Sequence, residues 1–332
     1  MILVTARGGW VPVLLLIPCL MLAVGCGRPS QESQVAQLTK APLAPLEESQ
    51  ADLPLEPQAE PAPMQALAGP TPPQTRPAEF TFLVYGDTRS FPEVHRECVA
   101  QLLRHTDASF VCHTGDMVGD GSKWSQWEQF LEITAPLRQR MPYCAAIGNH
   151  DLPRENAVRA MRQMPGIPPD VNESATYYGF DAGFLRIAML DSESMIKGDD
   201  RQYEWARAFF AQAPDRFKII MLHRPLWSPG PNGSCGIIRE KLLPIIRETG
   251  VRLMFTAHDH MYYRTYREGL TQVITAGGGA PLYDVESPQV IIEGDVLNKT
   301  HHYCRVDVRL DAVTVTALDY EGRVIDQFHL AR

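Results

Sequence analysis

Five apolar runs in this chain end in side chains able to hold a hard or borderline cation: Gly86-Asp87-Thr88-Arg89, Gly115-Asp116, Gly148-Asn149-His150-Asp151, His223-Arg224-Pro225 and His258-Asp259-His260. Carboxylates, an amide carbonyl and neutral imidazoles together make a mixed oxygen and nitrogen field that suits Mn, Fe or Zn better than calcium. Each fragment alone says little, because a Gly-Asp after a strand is commonly a turn and a single His such as His223 is commonly a satisfied structural residue. The ordered set says more. In open α/β sheets ligands collect beyond the carboxyl ends of strands, so five such ends can converge on one site. There is no Gly-x-Ser-x-Gly elbow and no P-loop, which disfavours a serine hydrolase or a P-loop NTPase.

The elements that must position these residues are legible from Phe80 onward, where apolar runs alternate with helical patterns in the manner of an α/β domain. Strands are expected over Phe80–Tyr85, Ala108–Cys112, Tyr143–Ile147, Phe184–Leu190, Phe217–Leu222 and Val251–Phe255. A first helix is expected from a capping box, Ser90 with Glu93, with Val94, Cys98, Leu102 and Leu103 along one face. Further helices are expected near Lys123–Leu137, Arg154–Gln163, Asp200–Ala211 and Ile237–Glu248. The tail reads as successive strands, Gln272–Ala276, Gln289–Ile292, Tyr303–Leu310, Ala312–Leu318 and Val324–Leu330. Together these predict two packed sheets flanked by helices.

Before Phe80 the composition is different. Arg7 followed by the apolar stretch Trp10–Val24 and by Gly25-Cys26 resembles a bacterial lipoprotein signal, with Cys26 as the lipidated residue. The stretch is short for a membrane span, and an ordinary signal peptide or an uncleaved anchor would equally export the domain. Residues 27–79 hold 11 of the 27 prolines and no periodic apolar face, which predicts a disordered tether and leaves 80–332 as the catalytic domain. The chain as a whole has 332 residues, 45% hydrophobic, with a net charge of −8, which argues against a nucleic-acid backbone as partner. The seven cysteines have no Cys-x-x-Cys spacing, so a metal must be held by other residues.

The ordered set Asp87, Gly115-Asp116, Gly148-Asn149-His150-Asp151, His223 and His258-x-His260 resembles the signature of the calcineurin-like metallophosphoesterases, in their purple acid phosphatase-like branch. The resemblance covers about Phe80 to Ala280, including the Gly277-Gly278-Gly279 loop. It implies a four-layer α-β-β-α sandwich and two divalent ions bridged by Asp116. Asp87 and His260 would complete one site; Asn149, His223 and His258 would complete the other. Such a pair would acidify a bridging water and neutralise phosphoryl oxygens during in-line attack. His150 would be a non-ligand that stabilises developing charge or protonates the leaving oxygen, with Asp120 or Asp151 orienting it. Two departures stand out. Family members commonly have a His where this chain has Arg89, and purple acid phosphatases supply a Tyr where it has Gly119. Arg89 is read either as a guanidinium forked onto substrate phosphate or as a salt bridge to a nearby acid.

The expected function is hydrolysis of a phosphate ester outside the cytoplasm, in the cell envelope, by a protein held to the membrane through Cys26. The substrate is a small phosphomonoester or a nucleotide or phospholipid diester. The alternative is an envelope lipoprotein that binds metal without catalysis.

Overall fold

Strands whose side chains are apolar on both faces need a packed layer on each side. In the computed structural model, which describes residues 79–174 and 176–332, that requirement organises the chain. The lipidation signal at residues 1–26, Cys26 itself and the tether up to residue 78 lie outside the described residues. From the N-terminal side, β1 (Phe80–Tyr85), α1 (Pro92–Leu103), β2 (Ala108–His113), α2 (Trp124–Arg140), β3 (Tyr143–Ala145) and α3 (Arg154–Met161) follow in order. They are succeeded by β4 (Tyr178–Ala182), β5 (Leu185–Met189), α4 (Ser192–Met195), α5 (Arg201–Ala211), β6 (Phe217–Met221), α6 (Gly236–Thr249) and β7 (Val251–Thr256). The remaining strands are β8 (Tyr262–Arg267), β9 (Leu270–Thr275), β10 (Val296–Asn298), β11 (His302–Val308), β12 (Ala312–Asp319) and β13 (Val324–Ala331).

Six strands form one mixed sheet in the order β13-β12-β11-β1-β2-β3, and seven form the other, β10-β8-β9-β7-β6-β5-β4. Each has a parallel core. β1, β2 and β3 run parallel in the first sheet; β5, β6, β7 and β9 do so in the second. Strand alternation then sorts the side chains. Ile187, Met189, Ile219, Met221, Leu253 and Phe255 join Phe82, Phe110 and Val306 in the core between the sheets. Their sequence neighbours Ala188, Leu190, Ile220, Leu222 and Met254 face outward and pack with Phe210 of α5 and with Leu242 and Ile246 of α6. Cys98, Leu102, Trp127 and Leu137 of α1 and α2 cover the first sheet. The expected α-β-β-α layering is therefore the observed one.

Three local expectations are corrected. The first helix has no Ser90 capping box: Ser90 is left-handed (φ 81°), Phe91 is the cap residue without a side-chain bond, and Pro92 opens the helix, where its missing N–H costs nothing. Gln289–Ile292 is not a strand, because Pro288 opens a 3-10 turn over Pro288–Val290 and the preceding Glu286 and Ser287 N–H groups donate to the Pro229 carbonyl. The strands β4, β8 and β10 were not anticipated. For β8 the overlooked signal was Glu268-Gly269, both with positive φ, which turns the chain into the β8–β9 hairpin.

Phe255 is fully buried between the sheets, on the strand that leads to His258 and His260. Phe255→Ala is expected to cost about 3–5 kcal/mol of folding stability, read as a lower urea midpoint at unchanged m value. A loss below about 1 kcal/mol would contradict the two-sheet core as described.

Candidate metal centre

The six expected ligands all follow parallel strands, and the turns that carry them are held in unusual backbone conformations. Asp87 (φ 55°), Asp116 (φ 57°) and His258 (φ 73°) are left-handed, a state that costs a non-glycine residue of order 1–3 kcal/mol and persists only where the surroundings over-determine it. The determinants are visible. Asp87 N–H donates to the Gly115 carbonyl (3.0 Å) and Thr88 N–H to the Asp116 carbonyl (3.1 Å), stitching the β1 and β2 turns together. Gly278 N–H donates to Gly86 O and Ala280 N–H to Asp87 O, each at 2.8 Å, so the Gly277-Gly278-Gly279 loop clamps the β1 turn from the other side. A Cβ at Gly148 would strike the Asp116 carboxylate, so only glycine admits the β3 turn this close.

These turns bring the donor atoms into two groups that share Asp116. Asp116, His223 and His258 form one buried group, and Asp87, Asp116 and His260 form the other, with donor atoms within 4.8 Å of one another in each. In the first group His223 Nε2 lies 3.2 Å from Asn149 Oδ1, 3.1 Å from His258 Nδ1 and 3.4 Å from Asp116 Oδ1. In the second, His260 Nε2 lies 3.2 Å from Asp87 Oδ1, a buried carboxylate oxygen without a hydrogen bond. A cluster of acceptors around an orphaned carboxylate oxygen is the chemistry of a cation site, so the residues fit the divalent ions that the sequence implies.

The imidazoles are oriented through their far nitrogens. His223 Nδ1–H donates to the Thr114 carbonyl (3.1 Å) and His260 Nδ1–H to the Pro281 carbonyl (2.6 Å), which leaves Nε2 of each as the ligating atom. Burial, with the neighbouring His223 and Arg224, pushes His258 down to about 2, so it is a neutral ligand. For His223 burial lowers the pKa, but the Asp116 and Asp87 carboxylates outweigh it and raise the value. Burial likewise favours a neutral Asp87, yet its interaction with His260 outweighs burial and holds the carboxyl well below the usual range.

His150 sits beside the groups on a 3-10 turn, Asn149–Asp151. Its backbone N–H donates to Asp116 Oδ1 (2.9 Å) and its ring Nδ1–H donates to the Gly119 carbonyl (2.7 Å), so Nε2 is its free nitrogen. The expectation that Asp120 or Asp151 orients His150 is corrected by this geometry. Asp120 is a surface acid that accepts from Ser122 Oγ (2.6 Å) and pairs with Lys123 (3.1 Å). Asp151 is fully buried and accepts backbone N–H bonds from Asp116 (3.0 Å), Val118 (3.2 Å) and Gly148 (2.9 Å), fixing two ligand turns rather than the ring. Its pKa is pushed up by burial and by the Asp116 carboxylate beside it. Arg89 adopts the ion-pair reading: its Nε lies 3.3 Å from Asp116 Oδ2.

Several supporting residues escaped the sequence. His113, at the end of β2, accepts the Gly115 N–H at Nδ1 (3.1 Å) and so donates from Nε2 to Thr88 Oγ1 (3.2 Å), joining the β1 and β2 turns. Burial pushes it down to about 3, consistent with this neutral tautomer. Arg224, bound to the buried Glu193 of α4 (2.7 Å), places Nη1 3.0 Å from His258 Nε2. Tyr283 stacks on His260 with ring centroids 4.0 Å apart. The loop from Trp227 to Cys235 is buried over Trp227–Gly230 and leans on the turn that carries His258: Asn232 N–H and Ser228 Oγ donate to Asp259, and Asn232 Nδ2 donates to the His258 carbonyl (2.8 Å). Tyr262 and Tyr263 are core residues whose hydroxyls donate to Asp326 and Asp295.

The family model for calcineurin-like phosphoesterases matches residues 80–262, more than half of the chain and all six ligands. The chain belongs to the calcineurin-like phosphoesterase family. This family of phosphoester hydrolases is dimetal-dependent. Among curated relatives, purple acid phosphatase 17 of Arabidopsis thaliana is 24% identical over 252 residues, covering 65% of this chain and 73% of that protein. A probable inactive purple acid phosphatase 1 from the same plant is 26% identical over 56% of this chain, which spans 37% of that relative. A nucleotide pyrophosphatase/phosphodiesterase of Hordeum vulgare is 27% identical over 47% of this chain and 48% of its own length. The fold is shared with a purple acid phosphatase from yellow lupin seeds, at a TM-score of 0.66 and 21% identity over 80% of this chain and 55% of that one.

Asp151→Ala orphans three buried N–H donors and is expected to cost about 1–3 kcal/mol of stability in chelator-treated protein, whereas Asp120→Ala leaves the urea midpoint unchanged. Equal midpoints for the two variants would refute the assignment of Asp151 as the clamp between the ligand turns.

Proposed function

We propose that this phosphoesterase hydrolyses small phosphate esters outside the cytoplasm, from a membrane to which Cys26 anchors it. The observation that supports catalysis is the placement of a half-buried His150, bonded through its backbone N–H to Asp116, beside the two groups of metal donors. A purely metal-binding envelope protein has no use for that imidazole. Divalent ions held by Asp116, Asn149, His223, His258, Asp87 and His260 would supply Lewis acidity toward phosphoryl oxygens and lower the pKa of water.

The chain's own residues supply the rest. The Gly119 carbonyl fixes His150 Nδ1–H, so proton traffic is confined to Nε2, which can hand a proton to the leaving oxygen. The Asp116 carboxylate is shared by both donor groups, and the His150 N–H that it accepts ties the proton carrier to the metal donors. The export leader is supported by Arg7, the apolar stretch and Gly25-Cys26. The substrate class is supported by the family and by relatives named as phosphatases and as a phosphodiesterase.

The test is a p-nitrophenyl phosphate, bis-p-nitrophenyl phosphate and nucleotide panel on the metal-loaded full-length chain. His150→Ala is expected to lower kcat about 10²–10⁴-fold at unchanged metal content, and Asp116→Asn to lose both metal and activity. A metal-loaded wild type inactive toward the whole panel would favour the non-catalytic alternative, and full activity in both variants would overturn the site.

A further inference from the structure

Arg89 stands inside the second donor group rather than beside it. Its Nε lies 3.3 Å from Asp116 Oδ2, and its Nη2 lies 3.3 Å from His260 Nε2 and 3.3 Å from the Tyr283 hydroxyl. Nη1 reaches Ser90 Oγ at 3.4 Å. Two of the three residues that would hold an ion there, Asp116 and His260, thus already face a fixed positive charge. The side chain is only 15% exposed, so water screens that charge poorly. Tyr283, stacked on His260 and bonded to Arg89, holds the guanidinium in place.

The other donor group is different. His223 Nε2 has Asn149, His258 and Asp116 around it, all donor residues of the same group. The nearby guanidinium, Arg224, faces the far nitrogen of His258 and is neutralised by Glu193. That group offers four donors, Asp116, Asn149, His223 and His258. The group at Arg89 offers three, Asp87, Asp116 and His260, and a cation already leans on two of them.

We propose that Arg89 is a built-in cation of the second donor group, so that this chain binds one divalent ion tightly, at Asp116, Asn149, His223 and His258, and a second only weakly. The proposal rests on reading these residues as a metal site. It changes what Asp116 does: one carboxylate oxygen serves the ion and the other serves the guanidinium.

The experiment is a Mn²⁺ titration of the chelator-stripped full-length chain, followed by bound-metal analysis and electron paramagnetic resonance. Wild type is expected to take up one ion per chain with an uncoupled six-line signal, and a second with affinity about 100-fold or more weaker. In Arg89→Ala, and more so in Arg89→His, which adds a ligand, both ions are expected to bind in one range with a broadened, exchange-coupled signal. Two ions of similar affinity in wild type would overturn the proposal, as would a titration unaltered in both variants. If neither variant folds, the wild-type stoichiometry alone decides. Phosphatase activity is not the readout: an inactive chain that binds one ion tightly would fail the proposed function and keep this inference, and an active chain with two equal sites would do the reverse.

Discussion

The carboxylate of Asp116 is the constraint on which the site depends. Oδ1 accepts the His150 N–H and faces His223, while Oδ2 faces Arg89. The same residue's backbone is spent on both neighbouring turns, its N–H on Asp151 and its carbonyl on Thr88. One residue therefore fixes the spacing of β1, β2 and β3 at their carboxyl ends, and it does so from a left-handed conformation that is costly for an aspartate. The strain is tolerable because buried polar groups on every side would lose partners if the turn relaxed.

Two sheets make this convergence possible. The parallel strands of the first sheet deliver candidate oxygen donors, Asp87, Asp116 and Asn149, and those of the second deliver imidazoles, His223, His258 and His260. The inter-sheet core of Phe82, Ile219, Phe255 and Val306 thus sets the distance between the acidic and the basic halves of the centre. Because each imidazole's far nitrogen is engaged, by a carbonyl at His223 and His260 and by Arg224 at His258, little rotational freedom remains to be lost when a ligand atom is engaged.

The convergence of the candidate donors was legible because each follows an apolar run and five of them sit in short Gly-Asp, Gly-Asn-His and His-x-His signatures. The layering was legible for a related reason: runs apolar on both faces imply cover on both sides. What orients the site was less legible. The groups holding His223, His260 and His150 are the main-chain carbonyls of Thr114, Pro281 and Gly119, and a carbonyl has no letter in the sequence. Sequence reasoning looked instead to the nearby carboxylates Asp120 and Asp151, which serve a surface turn and a backbone clamp. The strand β8 was missed because Tyr262–Arg267 mixes aromatic and charged residues without a clean apolar face; Tyr262 and Tyr263, buried on its opposite faces, satisfy their hydroxyls on Asp326 and Asp295, partners distant in the chain.

Charge balance explains why the turn after β1 tolerates an arginine at all. Asp87, Asp116 and Asp151 are buried within one small volume, and burying carboxylates without counter-charge is costly. Asp151 meets that cost with three N–H donors, and Asp87 with the His258 backbone N–H and its interaction with His260. Asp116 draws on one N–H, on His223 and on the guanidinium of Arg89. A guanidinium differs from a divalent ion in what it can do next. It offers several N–H donors in a plane that matches a phosphoryl group and provides no acidified water. If Arg89 takes the place of one ion as proposed, the donors left for the other are Asp116, Asn149, His223 and His258, and Asn149 stands on the same Asn149–Asp151 turn as His150.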